Sequence, residues 1–595
     1  MNYLEPNYEY ITDQARLDEV AENILARETV LAVDIEGDGL DPYLIKLLLV
    51  QIGTAEKVYI FNAKLKFDRL KSVLENPKIK KILQNAKFDY GVLKATKGIE
   101  MGGNIYDTML AERLLTIGLV RENSLLALAD KYLGIKLDKN WESYNWDQTA
   151  RTGKMTKRHL NYAATDALIL FPIREKQMAA IAREDLTRVA DLEFSLVQVV
   201  ANIELKGSLI DVRKWRDNLD QLKTRRDSTA LQIQEELRPF YKIKQVDLFG
   251  NHADVLNLNS PSQVIGAFEK LGIDLPSTGE AILQKTNHPV AKLLLQYREC
   301  EKLLTAFGEN LLAKIHPKTG RLHPDFMQIG ADTGRFACSN PNLQQIPTDS
   351  SFRSCFVPAP GYKFVVADYS QIELRIMAEL SEDPEFTDAF KKGEDLHTKT
   401  ASQMYGVPTE MVDKKMRFNA KSINFGLMYG RGAPSLAGQL GISVEDSEKL
   451  LEKYFNTYKK VKSWLDKVGK EAVKKGYSKT ISGRKRWYKE LDPGDPLYQR
   501  MISHTERQGK NTPIQGSSAD MTKLALVAVH QRLNKEKYDA FLIHTVHDEI
   551  LIEVRADQAE AVHTLVKEEM IRAGEKLLHK VPIQVEVKIA DAWEH

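Results

Sequence analysis

The chain has 595 residues, 43% of them hydrophobic and 28% charged, with a formal net charge of +2. That length predicts about three or four compact units rather than one core, and no apolar run approaches the ~20 residues that a membrane-spanning helix needs. Three scattered cysteines, Cys300, Cys338 and Cys355, form no C-x-x-C pair, which argues against a zinc cluster or a disulfide framework and fits a reducing compartment. The acidic start, Met1 to Glu22, lacks the basic-then-apolar order of a secretory signal and the arginines of a transit peptide. The expected location is a reducing compartment, with no membrane partner.

From about residue 28 to 181 strands and helices alternate, which predicts an α/β domain. Thr29 to Asp34 and Leu47 to Ile52 read as buried strands. The first ends in Asp34-Ile35-Glu36, whose i, i+2 spacing puts both carboxylates on one strand face. A third acid, Asp89, closes Asn85-Ala-Lys-Phe-Asp89. A fourth, Asp166, closes Tyr162-Ala-Ala-Thr-Asp166, where i, i+4 spacing sets Tyr162 beside it on one helical face. Singly, each acid reads as a surface residue. Together they would repel one another unless cations neutralised them. Two hard divalent ions held roughly 3.5–4 Å apart by carboxylates are a standard means of cleaving a phosphodiester with water. The Tyr162 hydroxyl can orient that water. In this order the blocks resemble the tyrosine subtype of the DEDD exonuclease superfamily, which includes proofreading DNA exonucleases and RNA-trimming enzymes. The sequence departs from that pattern at Gly37, where a threonine is usual; the change loosens a contact to the substrate strand and removes no metal ligand.

From about residue 188 to 314 the chain reads as mostly helical, with charged stretches such as Arg213 to Arg226. Leu256 to Ser262 looks like a loop feeding a helix capped by Ser260, with Pro261 at its first position. Strands return at Lys363 to Ala367, Phe541 to Thr545 and Ile550 to Val554, around a helical insertion from about Pro384 to Lys475. From Lys459 to Lys489 twelve basic residues face two acidic ones, with Trp464, Tyr477, Trp487 and Tyr488 interspersed. That run suits a nucleic-acid backbone or, equally, a solvated helix face.

A buried strand ends at Asp368, and Phe541 to Val554 reads as a β-hairpin with His547 and Asp548 at its turn. Two aspartates at strand ends of one sheet would form a second two-metal site, with a primer 3′-hydroxyl attacking and pyrophosphate leaving. Between these strands Arg417, Lys421, Phe425 and Tyr429 recur every fourth residue, one stripe on a helix. Two cations followed by two aromatics match a nucleotide, phosphates at one end and sugar and base at the other. A further helix carries Arg507, Asn511 and Gln515 at the same spacing, donors suited to the acceptors of a duplex minor groove.

Asp368-Tyr-Ser-Gln-Ile-Glu-Leu-Arg375, the block from Arg417 to Gly430, and Val546-His-Asp-Glu549 resemble motifs A, B and C of family A DNA polymerases, in order. Thr333 to Pro347, Pro513 to Asp520 and Trp593-Glu-His595 fit the same family. The resemblance implies a ribonuclease H-like α/β exonuclease domain over residues 1–185 and an α+β right-hand polymerase domain over 186–595. Within the latter, about 186–314 would form the thumb, 315–383 and 490–595 the palm, and 384–489 the fingers, as in the large fragment of the bacterial enzymes of this family. The implied function is template-directed DNA synthesis with 3′→5′ proofreading, acting on primer-template DNA and dNTPs; a processivity partner is not indicated. Two Mg²⁺ ions at each active site are implied, with Mn²⁺ able to substitute.

The resemblance also assigns residues. Asp368 and Asp548 would hold metal with Glu549 beside them. His397, Arg417 and Lys421 would contact the triphosphate, Lys421 also protonating pyrophosphate. Phe425, Tyr429, Glu373 and Gln371 would border the nucleotide, Glu373 and Phe425 closing the space of a 2′-hydroxyl. Arg335, Arg507, Asn511, Gln515, His547 and Arg375 would grip the DNA. Thr545 stands where many members have glutamine, and Gly509-Lys510 is unusual beside Asn511. The sequence starts almost directly at the exonuclease domain, without the 5′-nuclease domain of many bacterial relatives, which points to a phage or organelle-type replicative enzyme or a shortened one. An RNA-processing exonuclease would leave some 400 residues unexplained, and intact acids argue against an inert scaffold. A single-subunit RNA polymerase shares the palm logic, but Glu373 and the Phe425-Gly-x-x-Tyr429 pattern favour DNA synthesis.

Overall fold

The computed structural model describes residues 5–119, 122–136, 146–240, 245–246, 252–253, 256–347, 351–428 and 430–594. In chain order its first strands are β1 (Tyr8–Ile11), β2 (Val30–Gly37), β3 (Leu47–Gly53), β4 (Val58–Asn62), β5 (Lys80–Leu83) and β6 (Ile105–Asp107). They form one mixed sheet in the order β1-β4-β3-β2-β5-β6, with β2 antiparallel to β3 and parallel to β5. Alternation along β2 divides its side chains between two cores. Leu31, Val33 and Ile35 pack with α1 (Ala86–Lys97), whereas Ala32 packs with Ala163, Ala164 and Ala167 of α2 (Lys157–Arg183). Asp34 and Glu36 share the face of Ala32, so the strand period alone directs them toward α2.

Helix α3 (Thr187–Lys206) serves both halves of the molecule. Its Val197 and Ala201 join the first core, while Leu196, Val199, Val200 and Ile203 join the core of a second sheet. The long helices α4 (Val212–Leu237) and α5 (Pro289–Phe307) then pack against each other. Between them Pro261 opens a helix with Ser260 at its N-cap as the sequence predicts, although the Ser260 hydroxyl pairs with Ser262 (3.2 Å) rather than with the backbone.

The second sheet begins with β7 (Tyr362–Tyr369). A large insertion follows: α6 (Ile372–Ser381), α7 (Leu396–Tyr405), α8 (Lys414–Met428), α9 (Lys459–Lys475), the short antiparallel hairpin β8 (Tyr477–Lys479) and β9 (Lys485–Trp487), and the 38-residue α10 (Tyr498–Lys535). Strands β10 (Ala540–Val546), β11 (Glu549–Arg555) and β12 (Val585–Ala590) then complete an antiparallel sheet of order β10-β11-β7-β12. α9 buries Val461, Leu465, Gly469 and Ala472. It lies so close to α10 that a Cβ on Gly509 would meet the Ala472 methyl at 2.5 Å. The unusual Gly509 is thus a helix-packing residue.

The basic run from Lys459 is not one surface. Arg484, Lys485 and Arg486 are all buried and pair with Glu193, Glu184 and Asp332, respectively. Among the described residues no helix is long and apolar enough to cross a membrane.

Under the second sheet, His544 is buried between Phe326 and Trp593, with ring centroids 5.5 and 5.3 Å away. Burial lowers its pKa from 6.5 to about 4. Below pH 6.5 the unfolded chain therefore gains a proton there that the folded one refuses, so folding stability falls as pH drops from about 6.5 to 4. His544→Gln is expected to flatten that acid-side fall in the thermal unfolding midpoint. An identical pH profile in the variant would remove His544 from the account.

Candidate active sites

In the first unit, ligand oxygens of Asp34, Glu36 and Asp166 all lie within 4.8 Å of one another. β2 supplies the first two and α2 the third, one helical turn beyond Tyr162. Asp34 and Glu36 keep a little surface, while Asp166 and Asp89 are buried. Enclosure raises the Asp34 pKa to about 7. Glu36 is pushed well above the carboxylate range, first by burial and then by Asp34, Asp166 and Asp89. Asp89 on α1 is raised by burial, then by Asp34 and Asp107. It stands next to the three-acid cluster rather than within it. Burial and the Asp166 carboxylate, to which it hydrogen-bonds, also hold the Tyr162 phenol protonated. Four enclosed carboxylates, two of them raised by charge on the others, form a site suited to divalent cations.

Asp107, which the sequence reading did not single out, positions Asp89. Its buried carboxylate accepts from the Asn85 and Ala86 amides (3.1 and 2.8 Å) and from Met109 and Leu110 (2.8 and 3.2 Å), fixing the start of α1. Its signal was weak, an aspartate before a helix, and its partners lie 21 and 22 residues upstream. The glycine at position 37 also has a local cause. A Cβ there would come within 2.5 Å of the Ile45 Cδ1 methyl, so a threonine would require the Ile45 side chain to shift.

In the second unit β7 and β11 pair with Asp368 opposite Glu549, which places Asp548 of the β10–β11 turn beside Asp368. His547 takes a left-handed conformation (φ +54°) to make that turn. The Asp548 pKa rises to about 7, first through burial and then through Asp368. The two aspartates line a cavity of about 450 Å³ with Arg335, Gln371, Glu373, His397, Arg417, Lys421, Phe425, Ser518 and His547. α8 turns Arg417, Lys421 and Phe425 toward one side of it. Arg417 pairs with Asp395 (2.7 Å). His397 takes part in a 3.0 Å hydrogen bond with Asn424 Nδ2, and its ring centroid is 5.7 Å from that of Phe425. Desolvation lowers the His397 pKa to about 4, leaving a neutral ring. Glu373 is paired with Arg335. The lining thus combines two aspartates and Glu373 with Arg335, Arg417 and Lys421 and the Phe425 ring.

The profile of DNA polymerase family A matches residues 228–595, and that of a 3′-5′ exonuclease matches 8–181. The chain belongs to DNA polymerase family A. It is 31% identical to DNA polymerase I of Aquifex aeolicus, with 99% of both chains covered. Identity to DNA polymerase I of Pseudomonas aeruginosa is 33% over 99% of this chain and 66% of that protein. The thermostable DNA polymerase I of Thermus aquaticus is 37% identical over 68% of this chain and 48% of its own length. The chain therefore spans about two thirds or less of some relatives and nearly all of another. A solved structure described as the POL domain of Pol1 from M. smegmatis in complex with DNA primer-template and dNTP superposes with a TM-score of 0.84 at 28% identity, covering 98% of this chain and 99% of that one.

Not every residue expected at the polymerase site reaches it. The Arg375 guanidinium is buried and bonded to Ser370 O (2.8 Å), Pro582 O (2.6 Å) and Gln584 Oε1 (2.9 Å), over the Phe390 ring. These bonds anchor α6 to the segment before β12. Glu549 is buried too. It accepts from Arg353 Nη1 (3.1 Å) and from Trp593 Nε1, and it does not line the cavity. Glu549 opens β11 directly after Asp548, so these bonds brace the turn that carries Asp548. Tyr429 and His595 lie outside the described residues. Arg507, Asn511 and Gln515 share α10, the first exposed and the last buried. Ser518, three residues further along that face, borders the cavity and extends the polar stripe.

The polymerase also encloses a cavity of about 600 Å³ between its two halves, lined by Leu40, Asn85, Phe88 and Arg113 on one side and His323 and Phe326 on the other. Leu40 stands four residues after Glu36 and is 85% exposed. No local pattern signals this groove, because its walls lie far apart in the chain.

Proposed function

We propose that this chain extends a DNA primer with dNTPs at the Asp368–Asp548 site and trims mispaired 3′ ends at the Asp34–Glu36–Asp89–Asp166 site. The observation that carries the reading is that one 450 Å³ cavity brings two adjacent aspartates together with Arg417, Lys421 and a neutral His397. Two Mg²⁺ ions fit each acid cluster, since enclosed carboxylates with raised pKa values gain most from a divalent cation. Bound there, they would activate the attacking oxygen and stabilise the leaving one.

The chain's own groups do the remaining work. Arg417 and Lys421 bind the triphosphate, and the Lys421 ammonium gives its proton to the departing pyrophosphate. Phe425 packs against the sugar. Arg335, Arg507, Asn511, Gln515 and His547 hold the primer end and its minor groove, with Gln371 at the edge of the nucleotide. At the other site the Tyr162 hydroxyl orients water. The 600 Å³ groove lined by Leu40, Asn85 and Phe88 receives the frayed strand, whose bases can stack on Phe88. The names thumb, palm and fingers, with the boundaries given above, describe the second half on this reading.

Glu373 closes the space beneath the incoming sugar. A wall excludes a larger substrate far better than a void excludes a smaller one. Glu373→Ala is expected to raise NTP incorporation relative to dNTP by roughly 10- to 100-fold. The test is single-nucleotide primer extension with dNTPs and NTPs. An unchanged ratio would count against the gate, and wild-type preference for NTPs would overturn the reading as a DNA polymerase.

A further inference from the structure

The hairpin β8–β9 holds the most deeply buried ionic network that the reaction does not use. Arg484 is 1% exposed. Its Nε donates to Asp520 Oδ1 (2.8 Å), and its Nη2 lies 2.5 Å from Glu193 Oε1. Thr480 Oγ1 donates to the other Asp520 oxygen (2.8 Å). Lys523 Nζ donates to the same Glu193 oxygen (2.5 Å) and to Gln328 O (2.8 Å). Glu193 belongs to α3, Arg484 to the hairpin, and Asp520 and Lys523 to α10. Such a network is seldom a net source of stability compared with well-packed apolar residues, so its use lies in what it positions.

What it positions is the turn Thr333-Gly334-Arg335. Gly334 has φ +86°, and a Cβ there would meet Arg484 Cδ at 2.6 Å. On the opposite side a Cβ on Gly516 would lie 2.9 Å from Thr333 O and 2.5 Å from Thr480 Cγ2. Just before the turn, Asp332 accepts from Arg486 Nη2 (3.2 Å). The turn is thus clamped between the hairpin and α10, and from it Arg335 reaches into the cavity to pair with Glu373. The hairpin is in turn docked on the exonuclease unit. The Trp487 amide donates to Ile117 O (2.8 Å), and Lys479 and Lys485 pair with Asp185 and Glu184, each at 3.1 Å.

We propose that Arg484, held by Glu193 and Asp520, is a positioning residue that fixes Arg335 against Glu373 and thereby sets how strictly the pocket rejects a ribose. The proposal rests on the reading of Glu373 as the sugar gate. Arg484→Lys keeps the charge but loses the planar fork that spans two acids. Thr480→Val removes one hydroxyl from the same network at nearly constant volume.

The experiment measures kcat/KM for dNTP and NTP in single-nucleotide extension, together with 3′→5′ degradation of single strands, in the full chain. Arg484→Lys is expected to raise relative NTP incorporation roughly tenfold, and Thr480→Val about threefold, with degradation unchanged. Combining Arg484→Lys with Glu373→Ala should be no more permissive than Glu373→Ala alone, since both act through one gate. If Arg484→Lys does not fold, Thr480→Val decides. An unchanged ratio in the folded variants, beside a relaxed Glu373→Ala, overturns the positioning role. A Glu373→Ala enzyme that remains selective overturns the gate itself, and with it this inference.

Discussion

Asp368→Ala and Asp548→Ala are each expected to reduce primer extension by at least about 10³-fold while leaving degradation of single-stranded DNA near wild type. Both carboxylates line one cavity, brought together by the β7–β11 register and the β10–β11 turn. Among the described residues the nearest other carboxylates are already engaged. Glu373 is engaged by Arg335, and Glu549 by Arg353 and Trp593. Each variant also removes a charge that repels its neighbour, so the fold should tolerate the change. Extension and degradation assays on one preparation make the comparison. Normal extension by either variant would sink the assignment of this site.

The converse variant, Asp34→Ala with Glu36→Ala, should lose 3′→5′ degradation by at least about 10³-fold and copy with a higher error rate, while extension persists. Asp34 and Glu36 belong to a different sheet from Asp368. The thermal midpoint should hold or rise, because two carboxyls whose ionisation is penalised by enclosure disappear. Residual degradation near wild type would mean that the ligands have been misplaced.

The parts of the site legible in the sequence were those set by local periodicity. A period of two placed Asp34 and Glu36 on one strand face, and a spacing of four placed Tyr162 beside Asp166 and lined up Arg417, Lys421 and Phe425 on α8. Motif membership was less informative about direction. Arg375 and Glu549 both belong to motifs, yet their side chains turn inward to partners such as Pro582 and Trp593, far along the chain. The junction between the halves was illegible for the same reason. Arg484 meets Glu193 across 291 residues and Lys523 meets it across 330, and no pattern in a window of sequence carries such a pairing. The basic run that suggested a nucleic-acid surface hid three side chains that hold the molecule together.

The most direct measurement of the central claim is extension of one primer-template with a matched and with a mismatched 3′ end, in dNTPs and a divalent metal, by wild type and by the Asp34→Ala, Glu36→Ala variant. Two sites in one chain predict that wild type extends the matched end at once and the mismatched end only after excising it, so that the product carries the correct base. The variant should extend the matched end equally well and either stall on the mismatch or seal it into the product. Wild type that retained the mismatch as often as the variant would contradict the account.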